Sequence, residues 1–269
     1  MIPLKAISTV SLKASIRITY YNCLCFIVII TSLMFTFCTG TDTGTNTGTD
    51  TGTITDIDGN IYTTVKIGNQ EWTVENLKTT KYNDGTAIPN VTESGVAGGT
   101  TGWWNLSTGA YCYYDNNPDY KAKYGALYNW YAVNTGKLAP EGWRVPTDAD
   151  WTTLGNYLIS NGYNWDGTTT GNKTGKSLAA RTNWSNDSEA GTIGNDPSKN
   201  NASGFSALPG GCRNVDGDFL NVGNYGYWWS SIEGGAALAW LRRLDYNSEH
   251  LGRFTNDKGC GFSVRLLRD

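Results

Sequence analysis

The segment PEGWRVPTDADW, from Pro140 to Trp151, contains two tryptophans and four charged side chains: Glu141, Arg144, Asp148 and Asp150. Neighbouring carboxylates beside an arginine could take part in acid–base catalysis. Thr147, however, precedes Asp150 by three residues, which is a shortened capping box, and both aspartates would lie in the first turn of a helix. The chain has one histidine and no metal-ligand spacing to complete a catalytic set. We therefore interpret the cluster as the start of a helix.

The elements around this cluster follow from local rules. Pro146 forces Val145 towards extended geometry, so GWRV is predicted to be the end of a strand. The helix then runs through WTTLGNYLIS, with Trp151, Leu154 and Leu158 on its buried face, and Gly162 ends it.

Other segments give weaker signals. IYTTVKIGNQEWTVENL predicts a hairpin with a turn at Gly68-Asn69. Asp58-Gly59 predicts a turn rather than a calcium loop, because the carboxylate required at the twelfth position is replaced by Ile67. Apolar spacing predicts a helix over residues 124–134 and a second, short one over 174–184, and the chain from Phe205 onward is predicted to form strands.

The N-terminus has the pattern of an export signal. Lys5, Lys13 and Arg17 precede the uncharged run CLCFIVIITSLMFTFC, which is short for a membrane-spanning helix. The run ends at Cys38, before small polar residues. Residues 1–37 are therefore predicted to be a lipoprotein signal, with Cys38 as the lipidated residue. An uncleaved signal anchor is the alternative.

Residues 38–53 are a repeat of Thr, Gly and Asp or Asn with no apolar side chain, which predicts a flexible tether. Residues 54–269 then form one domain. Removing residues 1–37 leaves 18 of the 21 basic residues against 24 acidic ones, a net charge of −6. This balance argues against nucleic acid as a partner. We expect an exported protein that contacts the membrane only through its lipid anchor.

Five motifs in order, IGNQEWTVENL, YGALYNW, PEGWRVPTDADW, GFSALPGG and GFSVRLLRD, closely resemble the Fibrobacter succinogenes major paralogous domain family, from about Thr55 to the last residue. The resemblance implies an exported, often lipid-anchored protein at a bacterial cell surface or outer membrane. Two of the motifs are also similar to formylglycine-generating sulfatase-modifying domains. By that analogy the expected fold class is α+β and C-type-lectin-like, with short helices packed on antiparallel strands and long Gly/Asn-rich loops.

The same resemblances bear on chemistry. Formylglycine-generating enzymes use a pair of cysteines near the C-terminus, whereas only Cys260 lies near that region here. The calcium signature of C-type lectins is also missing. We therefore expect no enzymatic activity, no cofactor and no metal. Family members often carry two further cysteines that this chain lacks, and among the three that remain beyond the tether Cys212 and Cys260 are the candidates for a disulfide in an oxidising compartment.

The C-terminal segment 225–269 is the predicted ligand site. Framework positions alternate there with chemically unrelated residues in turns. The framework positions are Trp228, Ser230, Ser231, Trp240, Arg242 and Phe262. This resembles the variable proteins of diversity-generating retroelements, in which a fixed scaffold carries mutated positions. Of the adjacent pairs Trp103-Trp104 and Trp228-Trp229, one member each is expected to face outward. The predicted ligand-binding residues are Trp229, Trp240, Arg243, Glu249, His250 and Phe254.

The leading hypothesis is a non-catalytic, lectin-like domain that binds an extracellular carbohydrate or protein. A glycan-active hydrolase using Asp245 and Glu249 as paired carboxylates is one alternative. A structural surface-coat component without a small ligand is the other.

Overall fold

The computed structural model describes residues 52–269. The predicted signal sequence, Cys38 and the tether up to residue 51 lie outside the described residues. Within the described part of the chain no helix has the length and apolar character needed to cross a membrane.

The described residues form twelve strands and four α-helices. The strands are β1 (Thr53–Thr55), β2 (Ile61–Ile67), β3 (Gln70–Thr73), β4 (Tyr111–Cys112), β5 (Leu127–Tyr128), β6 (Trp143–Arg144), β7 (Gly210–Arg213), β8 (Phe219–Val222), β9 (Tyr225–Glu233), β10 (Leu238–Asp245), β11 (Gly252–Asp257) and β12 (Leu267–Arg268). The helices are α1 (Tyr120–Tyr124), α2 (Trp130–Val133), α3 (Asp148–Ser160) and α4 (Gly175–Leu178).

The strands make three sheets, with orders β1-β2-β3-β12-β6, β11-β10-β9-β7-β8 and β4-β5. Every neighbouring pair is antiparallel except β7 and β9. The expected α+β, C-type-lectin-like fold is therefore wrong: the domain is mostly β, and α3, with 13 residues, is the only one of the four described helices longer than five residues.

Glycine explains one part of that error. The helix predicted over 124–134 is confined to α2, Trp130–Val133. Gly125 has a left-handed φ of +76°, and an added Cβ there would lie 2.7 Å from the carbonyl oxygen of Leu77. Leu127 and Tyr128 then pair with β4 instead of continuing a helix. The helix predicted over 174–184 is likewise confined to the four residues of α4.

Other sequence predictions are confirmed. The hairpin of β2 and β3 turns between Ile67 and Gln70. Helix α3 begins at the predicted place and buries Trp151, Leu154 and Leu158.

The sheet containing β9 and β10 lies between two hydrophobic cores. Successive side chains of a strand point to opposite faces, so Trp228 joins the core formed with Trp151 and Leu244, while Trp229 joins the core formed with Leu241 and Phe262. Both indoles are buried. The expectation that one of this pair faces solvent is wrong, because the sheet is covered on both faces; in the other pair Trp103 is buried and Trp104 is 39% exposed, as expected.

A buried polar cluster around Arg265 joins the sheets to the loops. The guanidinium donates to the carbonyl oxygens of Thr73, Phe205 and Ser206 and to Oδ1 of Asn76. Burial lowers the pKa of Arg265 to about 9, so the group stays charged at neutral pH. No carboxylate within the described residues forms a salt bridge with it; carbonyl oxygens accept its N–H groups, and the charge of Glu75 favours its protonated form from a greater distance.

Replacing this guanidinium should be costly. We expect Arg265→Met to lower the free energy of unfolding by about 3 kcal/mol, because four buried acceptors lose their donor. The control is Arg268→Met, whose side chain is 63% exposed and pairs with Glu71; it should change stability by less than about 1 kcal/mol. Urea denaturation of both variants measures the difference, and equal effects would show that the Arg265 hydrogen bonds add nothing to stability.

Candidate functional site

The acidic cluster of PEGWRVPTDADW forms a helix start and an ion-pair network. Thr147 caps α3 by accepting from the backbone N–H of Asp150, whose carboxylate accepts in return from the N–H of Thr147. The predicted capping box is thus confirmed. Asp150 also pairs with Arg144 at 2.5 Å. Asp148 pairs with the buried Arg242 at 2.6 Å and with Arg253 at 2.9 Å.

These pairs change the pKa of both carboxyls. For Asp148, burial opposes ionisation, but hydrogen bonds from Arg253 and Arg242 outweigh it and lower the pKa. For Asp150, burial is likewise outweighed by hydrogen bonds from Arg144 and Thr147. Both groups therefore stabilise the fold in their ionised form.

The ion pairs of Asp148 predict a pH dependence. A lowered folded-state pKa gives stabilisation that is complete above the unfolded value of about 3.9 and is lost as pH falls through the folded value. Asp148→Asn leaves Arg242 buried without a counter-charge, and we expect a loss of about 2–3 kcal/mol at pH 7 that shrinks below about pH 4. The free energy of unfolding is measured from neutral to acid pH, with Asp218→Asn, at an exposed site, as control. A loss independent of pH would contradict this assignment.

The structure separates the six predicted ligand-binding residues into four places. Trp229 is fully buried, and its indole N–H donates to the carbonyl of Tyr128 at 2.9 Å. It therefore has no surface to offer a ligand. Trp240 lies on the opposite face of the sheet under the guanidinium of Arg253, which is 3.5 Å from the ring centroid.

Arg243 and Phe254 meet on the face of the sheet opposite to that of Trp240. The Arg243 guanidinium stacks on Phe254 at 4.3 Å and on Tyr225 at 5.2 Å. It also makes two hydrogen bonds to the carboxylate of Asp245, at 2.6 and 2.8 Å. Asp245 is thus bound to Arg243, whereas Glu249 is bound to a different residue. The two carboxylates of the hydrolase alternative therefore have separate hydrogen-bond partners.

Glu249 and His250 leave the sheet in the loop that connects β10 to β11. The Glu249 carbonyl accepts from the N–H of Gly175 at 2.8 Å. Its carboxylate accepts from the indole N–H of Trp165, and Nδ1 of His250 donates to the carbonyl of Asn172. Ser248 and Tyr246 accept through their carbonyls from residues 193 and 194. The β10–β11 loop is therefore fixed between two long loops, 161–175 and 186–203.

The two long loops line an open groove of about 600 Å³, which we call the Trp165 groove. Its lining comes from the end of α3, from α4 and from the two long loops: Asn161, Gly162, Tyr163, Asn164, Trp165, Lys176, Ser177, Ala190, Gly191, Asn195, Lys199 and Ala202. Trp165 is 42% exposed, although it is one of the largest side chains in the domain. An exposed indole beside a concave polar surface is the arrangement of a ligand-binding site.

The indole of Trp165 is held by two contacts. Its N–H is bonded to Glu249, and its ring lies so close to Gly191 that a Cβ added there would overlap the ring. Gly191 also has a left-handed φ of +89°. Glycine at this position is therefore required both by the backbone and by the approach of Trp165.

Lys176 supports the far wall of the groove. Its side chain is buried, and its ammonium donates to the carbonyl oxygens of Thr192, Asn195 and Asp196. Burial lowers the pKa of this lysine. The three N–H donors of the ammonium are all accepted by carbonyls, so Lys176 links α4 to loop 186–203.

Sequence reasoning reached part of this site and missed its centre. Glu249 and His250 were predicted, and both contact loop 161–175. Trp165 and Gly191 were not, since they lie in Gly/Asn-rich stretches without periodicity. A tryptophan within such a stretch, in NGYNWDG, is the one local signal that could have singled it out, because a loop has little core to bury an indole.

Cys112, Cys212 and Cys260 are buried free thiols in the structure. Burial raises the pKa of Cys212 to about 11 and that of Cys260 to about 12. Arg213 pairs with Gly261 across the strands, which places Cys212 and Cys260 near one another in the same core cluster. The Cys212–Cys260 disulfide stays a prediction for the exported protein, and mass spectrometry of non-reduced peptides would identify it.

Comparison with known proteins gives one result at the level of a family. The family model described as the Fibrobacter succinogenes major domain matches residues 65–268. Searches of curated proteins and of solved structures found no match. In residues 52–269 no group of three His, Cys, Asp or Glu side chains is arranged to hold a metal ion.

Proposed function

Since the chain belongs to the Fibrobacter succinogenes major domain family, we propose that it is an exported, non-catalytic ligand-binding protein whose site is the Trp165 groove. The observation that carries this proposal is the exposed, doubly held indole of Trp165 beside an open polar groove. An indole fixed in position loses little conformational freedom when a ligand packs against it. The ligand is an extracellular carbohydrate or a protein.

The absence of catalysis is part of the proposal. The charged groups that the sequence offers for chemistry are engaged in structural contacts: Asp148 and Asp150 with arginines at α3, Asp245 with Arg243, and Glu249 with Trp165. Carboxylates held in structural contacts support a binding role over a catalytic one. Hydrolysis of oligosaccharides that depends on both Asp245 and Glu249 would favour the hydrolase alternative instead.

The location is proposed from the N-terminal sequence. The basic start, the apolar run and Cys38 support export and lipid anchoring, with residues 38–51, which precede β1, as a tether of about 20 Å mean span. Such a tether would keep the groove accessible above a membrane surface. Metabolic labelling with a fatty acid, compared between the native chain and Cys38→Ser, tests the anchor.

Binding at the groove predicts a selective loss when Trp165 is removed. On an array of glycans and purified extracellular proteins, Trp165→Ala should weaken binding by about tenfold or more, because the main apolar contact is lost. Trp104→Ala, which removes an indole of similar exposure outside the groove, should change it less than about twofold. If Trp165→Ala bound as tightly as the native chain, the site would lie elsewhere. If the native chain bound no ligand and self-associated in sedimentation, a surface-coat component would be favoured.

A second candidate role is that of an evolving receptor diversified by a retroelement. The burial pattern of the C-terminal segment supports it. Four framework residues are buried: Trp228, Ser230, Arg242 and Phe262. Several of the positions between them face solvent, including Gly234, Gly235, His250 and Phe254. Leu241, one of the intervening positions, is buried and is the exception.

This second role predicts where variation occurs. Deep sequencing of codons 225–269 in a population of the source cells should find changes at adenine-derived positions that encode the exposed residues and none at the buried framework. Framework and surface codons that vary alike, or a uniform segment, would exclude the retroelement role and leave a receptor with a fixed ligand.

A further inference from the structure

We infer that the Trp165 groove selects an uncharged saccharide, one of whose rings stacks on the indole of Trp165, and that Glu249 positions this indole. The inference rests on the proposed function, because it names the ligand class of the same site. It follows from which surfaces of Trp165 are free, from the state of the charges in the groove, and from the hydrogen-bonding groups that remain.

The indole offers a ligand only its apolar surface. Its single polar atom, Nε1, already donates to Glu249, and part of its ring is covered by Gly191. Trp165 is 42% exposed, and its ring carbons are the part of the indole that has no bonding partner of its own. The complementary ligand has a flat apolar patch within a polar molecule, and the C–H face of a sugar ring has that form.

The charges of the groove disfavour an anion. Its lining contains two cations and no carboxylate. The three N–H donors of Lys176 all bind backbone carbonyls. Lys199 pairs with Asp196 at 3.2 Å. The carboxylates of Asp196 and Glu249, which touch lining residues, would repel a uronate or a sulfate. An uncharged ligand meets no such penalty.

Two amide groups are free to bind hydroxyls. The side-chain N–H of Asn161 donates to the carbonyl of Tyr157 at 2.8 Å, and that of Asn195 donates to the carbonyl of Ser188 at 3.2 Å. These bonds fix the amides, and within residues 52–269 neither Oδ1 accepts a hydrogen bond. Amide oxygens held in this way can accept from sugar hydroxyls, which are donors without charge.

Glu249 is a positioning residue for this site. Its backbone is fixed to Gly175, and its carboxylate holds the indole edge of Trp165 from a loop 84 residues away in the chain. Removing the carboxylate frees the ring to rotate, so that the ligand must order it on binding. Glutamine keeps an oxygen that accepts the N–H, and it should preserve the orientation.

The test uses the full-length protein and two sets of oligosaccharides of matched length, neutral hexose oligomers and oligomers that carry uronate or sulfate groups. Titration calorimetry measures the affinity of each set, and calorimetric unfolding confirms that every variant is folded. We expect binding of a neutral oligomer, a loss of about tenfold or more in Trp165→Ala, and less than about twofold in Trp104→Ala.

The positioning role has its own controls. Glu249→Ala should weaken the affinity for the neutral oligomer about fivefold, whereas the affinity of Glu249→Gln should stay within about twofold of that of the native chain. Gly191→Ala should abolish binding by displacing the indole. Gly167→Ala is its matched control, because Gly167 has a similar φ of +72° and open space where the Cβ would be added. Equal losses in Glu249→Ala and Glu249→Gln would overturn the positioning role.

The remaining outcomes separate this inference from the proposed function. Binding of the acidic oligomers alone, or of a protein but no saccharide, in a manner that depends on Trp165, would overturn the ligand class and leave the binding domain in place. Saccharide binding that Trp165→Ala leaves intact would overturn the groove as the site. No binding of any ligand to the native protein would overturn both.

Discussion

The fold depends on one buried cation that has no ion-pair partner in the described residues. Arg265 and Asn76 form a polar centre, in which Asn76 accepts from Arg265 and from the indole of Trp228 and donates to the carbonyl of Tyr124 and to Ser263. Every nitrogen and oxygen atom of the Arg265 and Asn76 side chains makes at least one hydrogen bond, and such a buried network fixes the relative positions of its members. Losing one member would leave the others unpaired in the core.

All five sequence motifs of the family meet at or next to this centre. IGNQEWTVENL supplies Thr73 and Asn76, GFSALPGG supplies the carbonyls of Phe205 and Ser206, and GFSVRLLRD supplies Arg265 itself. YGALYNW contributes the carbonyl of Tyr124. PEGWRVPTDADW reaches the centre through Trp151, which packs on Trp72 at 4.8 Å and on Phe205 at 5.8 Å. The motifs are therefore best understood as parts of one buried structure rather than as parts of an active site.

The groove that we propose as the ligand site lies outside these motifs. The sheet of β9 and β10 is covered by a core on each face, so its exposed parts are an edge and its connecting loops. The β10–β11 loop is tied to loops 161–175 and 186–203 by backbone hydrogen bonds. The Trp165 groove thus joins long, glycine-rich loops to a rigid scaffold, which is how proteins commonly place variable recognition surfaces.

The sequence by itself determined the family, the capping box and buried face of α3, the β2–β3 hairpin and the strand-rich C-terminal part, because caps, turns and strand alternation are local properties. Only the tertiary structure decided the fold class, the burial of both Trp228 and Trp229, and the position of Trp165. The helix predicted at 124–134 is shortened to α2 because Gly125 must pass the backbone of Leu77, a contact 48 residues distant in sequence. Trp165 was missed for the same reason, because its partners Gly191 and Glu249 are brought to it by packing that no local pattern records.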